Sequence, residues 1–300
     1  MISSIVNRSY LFAPGHNAKL LHKVFLAGAD AVILDLEDAV PGNAKERARA
    51  MVVEAIRDHR ALVRVNPPRS PEIAADVEAV APYAAAIRIP KCESPEDVAW
   101  VAARAPGIPL VPAIETARGV LAAQEIALAP AVAHMSIGGL DLLRDLYAGT
   151  GNLPMLYVRS HLVVVSSAAG LPPPVDSVYP LIDDDAGLRE QAQFARSLGF
   201  AAKSAIHPRQ IPILHDVFAP SAQDLEWAHA VLTAFEAAGR GATRLPSGEF
   251  VDLPVAQRAE RLLEIAGRTA AVPEGRSAPD DEGRTAAERD GRVASRTSDA

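Results

Sequence analysis

Short β-like runs alternate with helical stretches along most of the chain, and this alternation limits the possible folds more than any other feature. The strand-like runs cover residues 10–13, 31–36, 62–66, 86–90, 110–115, 132–137, 176–179 and 203–206. Between them, stretches rich in Ala, Leu, Glu and Arg carry apolar residues at three- and four-residue spacing, as at 95–103 and 186–198. Strand, helix, strand, repeated eight times, predicts an α/β fold with a parallel sheet and crossover helices. Eight repeats predict closure into a (β/α)8 TIM barrel. Several runs are apolar at both phases of the alternation, as a sheet covered on both faces requires. Such a barrel commonly takes about 250 residues, and a chain with 49% apolar residues has enough for its core.

The pattern changes after the eighth run. Residues 221–238 read as a helix with Ser221 as N-cap and a glycine at its end. Residues 240–252 are irregular, and 254–265 return to helical spacing. From about Thr269 large apolar side chains nearly vanish, so that stretch cannot offset its ordering entropy. The expected organisation is a barrel over 1–220, a C-terminal helical extension over 221–268 packing on a neighbouring subunit, and a disordered tail over 269–300.

Charge and cysteine usage narrow the function. The net charge is −7, with both signs interspersed and no basic stripe, which argues against nucleic acid as a partner. Cys92 is the single cysteine, so no intrachain disulfide can form. The segment MISSIVNRSYLFAPG lacks the charged and apolar regions of a signal peptide. No apolar run approaches the roughly 18–20 residues of a membrane span. A cytoplasmic protein without membrane contact is expected.

Polar residues fall where the predicted strands end: Asp35, Glu37 and Asp38, Arg64 and Asn66, Lys91, Glu115, Asp141 and His207. In a (β/α)8 barrel all of these ends open onto one face, so residues far apart in sequence converge. Glu115 closes PLVPAIE and Asp141 follows MSIGGL, at the tips of adjacent strands. Two carboxylates about 4 Å apart repel by roughly 4 kcal/mol at an effective dielectric of 20. A divalent cation between them, Mg²⁺ or Mn²⁺, would relieve that repulsion. Alternatively, Asp141 caps the following helix and Glu115 pairs with Arg118. Arg64 can clamp a substrate carboxylate with its planar fork, or bridge to the acidic run 35–38. Lys91 is a second anion ligand or a Schiff-base lysine, while Cys92 has no histidine in its motif to activate it.

Taken together, the motifs RSYLFAPG (8–15), GADAVILDLEDAV (28–40), VRVNPP (63–68), IRIPKCES (87–94), VPAIETARGV (111–120), IGGLDL (137–142), GFAAKSAIHPRQI (199–211) and FVDLP (250–254) carry a resemblance. The chain resembles the citrate lyase β-subunit-like branch of the HpcH/HpaI aldolase superfamily, which includes malyl-, citramalyl- and citryl-CoA lyases. The resemblance implies a trimeric barrel that uses Mg²⁺ to cleave or form the bond between acetyl-CoA and a keto acid. By motif it implies Glu115 and Asp141 as metal ligands, Arg64 as carboxylate clamp, and Arg8, Glu37 and Asp38 in the same site. Residues 11–19, with Lys19, and the loop at Lys91 would wall the CoA. Asp252, in FVDLP, would act as acid/base in the site of the next subunit; locally it also suits the cap of the helix at Pro254. The chain departs from the family pattern in Arg144 and Tyr147 after IGGLD, in GFAAK, and in the prolines of PPPVD (172–176).

Three other readings stay open on the sequence. One is a metal-dependent aldolase acting on free hydroxy keto acids. Another is a Schiff-base aldolase using Lys91 or Lys203. The third is a barrel that serves an acyl-carrier thioester within a larger lyase, or that only binds acyl-CoA. The keto acid itself is not specified, because glyoxylate, pyruvate and oxaloacetate differ by groups that one or two residues distinguish.

Overall fold

A computed structural model describes residues 7–270. Eight parallel strands close into a barrel in chain order: β1 (Ser9–Pro14), β2 (Ala31–Asp35), β3 (Leu62–Arg64), β4 (Ala86–Ile89), β5 (Leu110–Ile114), β6 (Ser136–Ile137), β7 (Val175–Asp176) and β8 (Ala202–Ala205). The ring closes where Tyr10 of β1 pairs with Ser204 of β8. Every predicted strand is present, with ends that differ by a few residues. The largest difference is β6, where an isolated bridge from Leu110 to Val132 precedes two paired residues. Ala131 there takes a positive φ of 66° and turns the chain before the strand proper.

Two apolar layers hold the barrel. Outside, the strands pack on the surrounding helices through residues such as Leu34, Val63, Ile87, Ile89 and Ile114. Inside lies a smaller cluster of Tyr10, Ile33, Leu62, Ala86, Val111, Val175 and Ala202. Because strand side chains alternate faces, the inward residue two positions later comes next toward the C-terminal mouth. Those residues are Asp35, Arg64, Arg88 and Ser204, so an apolar floor carries a charged layer directly above it.

Local signals fix the helix ends. Ser94 caps Pro95–Arg104 by accepting from the Asp97 N–H, with Pro95 in the first turn. Thr116 caps Ala117–Leu121 immediately after Glu115. Gly199 closes Asp185–Leu198 at φ 110°, a conformation few other residues adopt.

Beyond the barrel, helix Ala222–Ala237 opens with a full capping box between Ser221 and Asp224. A short antiparallel pair, β9 (Thr243–Arg244) and β10 (Phe250–Val251), leads into helix Leu253–Ala270. These elements enclose a separate core of Ala228, Val231, Phe235, Leu245, Val251, Ala256 and Ala259. Phe250 and Leu253, beside Asp252, remain exposed. The tail expected over 269–300 lies, after Ala270, outside the described residues.

Candidate active site

The charged layer is organised around Asp35. Its carboxylate accepts from the N–H groups of Glu37 (3.0 Å) and Ala39 (3.1 Å) and from the Arg64 fork, Nε at 2.7 Å and a terminal nitrogen at 2.8 Å. Burial alone would raise its pKa, but the Arg64 guanidinium and these donors hold it below the ordinary carboxylate value. The third Arg64 nitrogen lies 2.9 Å from Glu37 Oε2, an ion-pair distance but out of line for a hydrogen bond. Arg64 therefore spends its fork on Asp35 and Glu37, the second of the two roles that its sequence position allowed.

Glu37, buried just past β2, also receives Lys91 Nζ, which reaches Asp38 at 3.1 Å as well. Burial, reinforced by the nearby charge of Glu115, pushes Glu37 up to about 7 against the pull of Arg64 and Lys91. Lys91 loses stability as a cation by burial, but its hydrogen bonds to the two acids outweigh this and raise its pKa. It is held protonated, which removes its lone pair from Schiff-base chemistry. Lys91 also adopts a positive φ of 47°, and its backbone N–H donates to Glu115 Oε2 at 3.2 Å.

Glu115 follows the last residue of β5 and is 2% exposed. Burial raises its pKa, Asp141 raises it further, and Arg64 and Arg88 oppose both. Asp141 occupies the first turn of helix Gly139–Asp145. It does not cap that helix, whose N-cap is Gly138, and Glu115 does not pair with Arg118, whose ion partner is Glu93 at 3.9 Å. Both structural alternatives for the two carboxylates are thus corrected: each is left to face the cavity. Arg144 meets Asp141 Oδ1 at 2.8 Å from a largely solvent-exposed position.

Glu115, Asp141, Arg64, Asp38 and Arg88 line one cavity of about 430 Å³ at the C-terminal mouth, together with Phe12, Pro14, Gly138 and Ile206. An adjoining cavity of about 390 Å³ shares Gly139, Leu140, Ser177 and Val178 and extends to Asn152, Arg159 and Tyr179. The two acids suit a hard divalent cation on chemical grounds. They are oxygen donors on adjacent strands in a partly desolvated cavity, and the charge of one raises the pKa of the other. Among the described residues no group of three or more His, Cys, Asp or Glu is arranged to hold a metal. A cation at this pair would complete its shell with water and substrate oxygens, as Mg²⁺ commonly does.

Other expected site residues lie elsewhere. Arg8 precedes β1, at the N-terminal end of the barrel, and forks onto Asp30 at 2.9 Å, so it does not reach the mouth. The correction follows from strand polarity: a residue before a barrel strand sits opposite the active face. Lys19 is exposed on helix Ala18–Lys23, which follows β1 on the mouth side. Asp252 accepts from the Val255 N–H at 3.3 Å, as a cap of the last helix, and does not line the cavity within this chain. Lys203 is fully buried behind the barrel wall, bonded to Asp176 at 2.6 Å and Gln191 at 2.7 Å, with Arg159 on the same aspartate. Cys92 is buried and its thiol pushed up to about 12, first by burial, so it is inert.

Two contributors escaped sequence reasoning. Phe12 lies under both guanidiniums, 4.9 Å from Arg64 and 5.3 Å from Arg88. Arg88 itself is an arginine inside an otherwise apolar strand, in register with Arg64. That shared inward phase was the available signal.

Residues 8–208 match the family described as HpcH/HpaI aldolase/citrate lyase. A citrate lyase subunit beta-like protein of Deinococcus radiodurans is 36% identical over 274 residues, covering 85% of this chain and 96% of its own length. A (3S)-malyl-CoA thioesterase of Cereibacter sphaeroides is 38% identical over 250 residues, covering 78% of this chain and 84% of its own. Among solved structures, the protein CitE of Mycobacterium tuberculosis, in complex with magnesium, acetoacetate and coenzyme A, superposes with a TM-score of 0.77 at 34% identity. It covers 86% of this chain and 97% of that one.

Proposed function

We propose, given that this chain belongs to the HpcH/HpaI aldolase/citrate lyase family, that it cleaves or forms the carbon–carbon bond of a 3-hydroxyacyl-CoA. The thioester is of the malyl-, citramalyl- or citryl-CoA type, and the products of cleavage are acetyl-CoA and a keto acid. The family consists of carbon–carbon lyases, and the chain is an enzyme of that kind. The observation that carries the finer reading is the pair of Glu115 and Asp141, two acids facing one cavity beside three cationic side chains.

Magnesium accompanies coenzyme A in the CitE structure, and we carry both ligands over to this site. Glu115 and Asp141 would hold the cation, which when bound supplies Lewis acidity toward the substrate's carboxylate and hydroxyl oxygens. The chain's own groups supply the rest. Arg64, locked on Asp35 and Glu37, is a fixed positive wall that orients the keto-acid half without reorganising during reaction. Glu37, with its pKa pushed up to about 7, can hold or release a proton near neutrality. Phe12, Pro14 and Ile206 keep water from the reacting bond.

The acid/base at the thioester's α-carbon is Asp252 of a neighbouring subunit in this reading, and the working assembly is a homotrimer. The extension's separate core, with Phe250 and Leu253 exposed beside Asp252, supports docking of that segment on a second copy. Among the described residues no helix is long and apolar enough to cross a membrane, in keeping with a cytoplasmic location. The test is a cleavage assay of malyl-, citramalyl- and citryl-CoA, with and without Mg²⁺. The reading requires release of acetyl-CoA and a keto acid from at least one of them, in the presence of Mg²⁺ alone. Release of free CoA and an intact hydroxy acid would instead make the chain a thioesterase.

A further inference from the structure

Arg88 stands out once the charges of the cavity are paired off. Its side chain is 3% exposed and lines the cavity beneath Glu115. It lies beside Arg64 in the strand register, yet Arg64 has taken both Asp35 and Glu37. No ion pair reaches Arg88 among the described residues. Its Nε has no hydrogen-bond partner, and its one bond to a side chain is a long 3.5 Å contact with Ser204 Oγ on β8. Burial pushes its pKa down to about 10, with Glu115 acting against that, so the group remains charged at neutral pH.

A buried guanidinium with free donors is strongly unfavourable unless an anion completes it. Phe12 gives it a cation–π surface on one side, but no aromatic ring satisfies an in-plane N–H. The free edge belongs to the same cavity as the metal-binding acids, and a planar fork with unused N–H groups matches a carboxylate.

We infer that Arg88 binds a second carboxylate on the keto-acid half of the substrate, so that the enzyme selects a dicarboxylic 2-keto acid over a monocarboxylic one. The inference rests on the lyase reading above and adds the substrate class. The keto and adjacent carboxylate oxygens occupy the Glu115 and Asp141 end of the cavity, and the distal carboxylate points down to Arg88. A monocarboxylic keto acid leaves the guanidinium unpaired and sets a polar or apolar group against it.

The experiment is calorimetric titration of Mg²⁺-loaded protein with freshly dissolved oxaloacetate and with pyruvate, for the wild type, Arg88→Met and Arg88→Gln. The wild type should bind oxaloacetate at least tenfold more tightly than pyruvate. Both variants should bring that ratio to within about threefold of unity while leaving the pyruvate affinity and the Mg²⁺ affinity little changed. Comparing variants with wild type cancels the stronger intrinsic chelation of Mg²⁺ by oxaloacetate. A wild-type ratio near one overturns the inference, and so does an unchanged ratio in either folded variant. If the preference is absent while a thioester is still cleaved, only the dicarboxylate assignment fails. If the preference is present and no thioester is cleaved, the lyase reading fails and Arg88 remains the anion site.

Discussion

Gly138 lies against the carboxyl group of Glu115 so closely that a Cβ on it would stand well inside 3.0 Å of Oε1 and Cγ. The glycine is therefore required by space, because its φ of −107° is open to any residue. It lets the turn that delivers Asp141 pass directly over the other proposed metal ligand. Gly138→Ala should displace Glu115, weaken Mn²⁺ binding at least tenfold, and cost about 1–3 kcal/mol of stability as overpacking does. Metal titration and urea denaturation of the same preparation measure both effects, and unchanged Mn²⁺ affinity would remove Gly138 from the site.

Arg64→Lys keeps the charge and loses the fork that spans both oxygens of Asp35. A buried pair left partly unmatched costs on the order of 3 kcal/mol. The expected outcome is a clear fall in denaturation midpoint together with a loss of kcat/KM of about tenfold to a hundredfold. A variant that loses activity at full stability would show that Arg64 acts on substrate alone.

Much of this arrangement is legible in the sequence because barrel geometry turns position along a strand into position in space. Asp35, Glu37, Glu115 and Asp141 fall at or just past strand ends, so eight-fold alternation alone is enough to bring them together. Arg8 misled for the complementary reason: its motif is continuous with β1, but it stands before the strand and so at the far end of the barrel. What sequence does not reveal is how charges share partners. Arg64 and Arg88 sit in equivalent inward positions on adjacent strands, and only the side-chain geometry shows that one holds two acids and the other none. The same holds for Asp141, whose partner Arg144 is three residues away on the same helix.

His134 links stability to pH. Its Nε2 is enclosed without a hydrogen-bond partner, against the ring of Tyr10, and burial together with the charge of Arg88 pushes its pKa down to about 4. The unfolded chain takes up that proton near pH 6.5 and the folded one near 4. The stabilisation is thus complete above 6.5 and is lost progressively as pH falls toward 4, by at most about 3 kcal/mol. His134→Gln should flatten the fall in urea midpoint between pH 6.5 and 4.5. An identical slope in the variant would show that His134 titrates normally when folded.

Subunit sharing of the site is tested by complementation. Asp252→Ala and Glu115→Ala chains, each inactive alone, should regain part of the activity when denatured together and refolded, because some hybrid sites receive both intact groups. If mass spectrometry shows mixed oligomers and no activity returns, Asp252 does not serve a neighbouring site.

The central claim is that Glu115 and Asp141 hold a catalytic divalent cation, and Mn²⁺ binding read by electron paramagnetic resonance tests it most directly. Wild-type protein treated with EDTA and dialysed should bind one Mn²⁺ per chain. Glu115→Gln and Asp141→Asn should each weaken that binding at least tenfold, and thioester cleavage should return with the metal in the wild type alone. Stoichiometric binding that persists unchanged in both variants, or full cleavage by the metal-free wild type, would contradict the account.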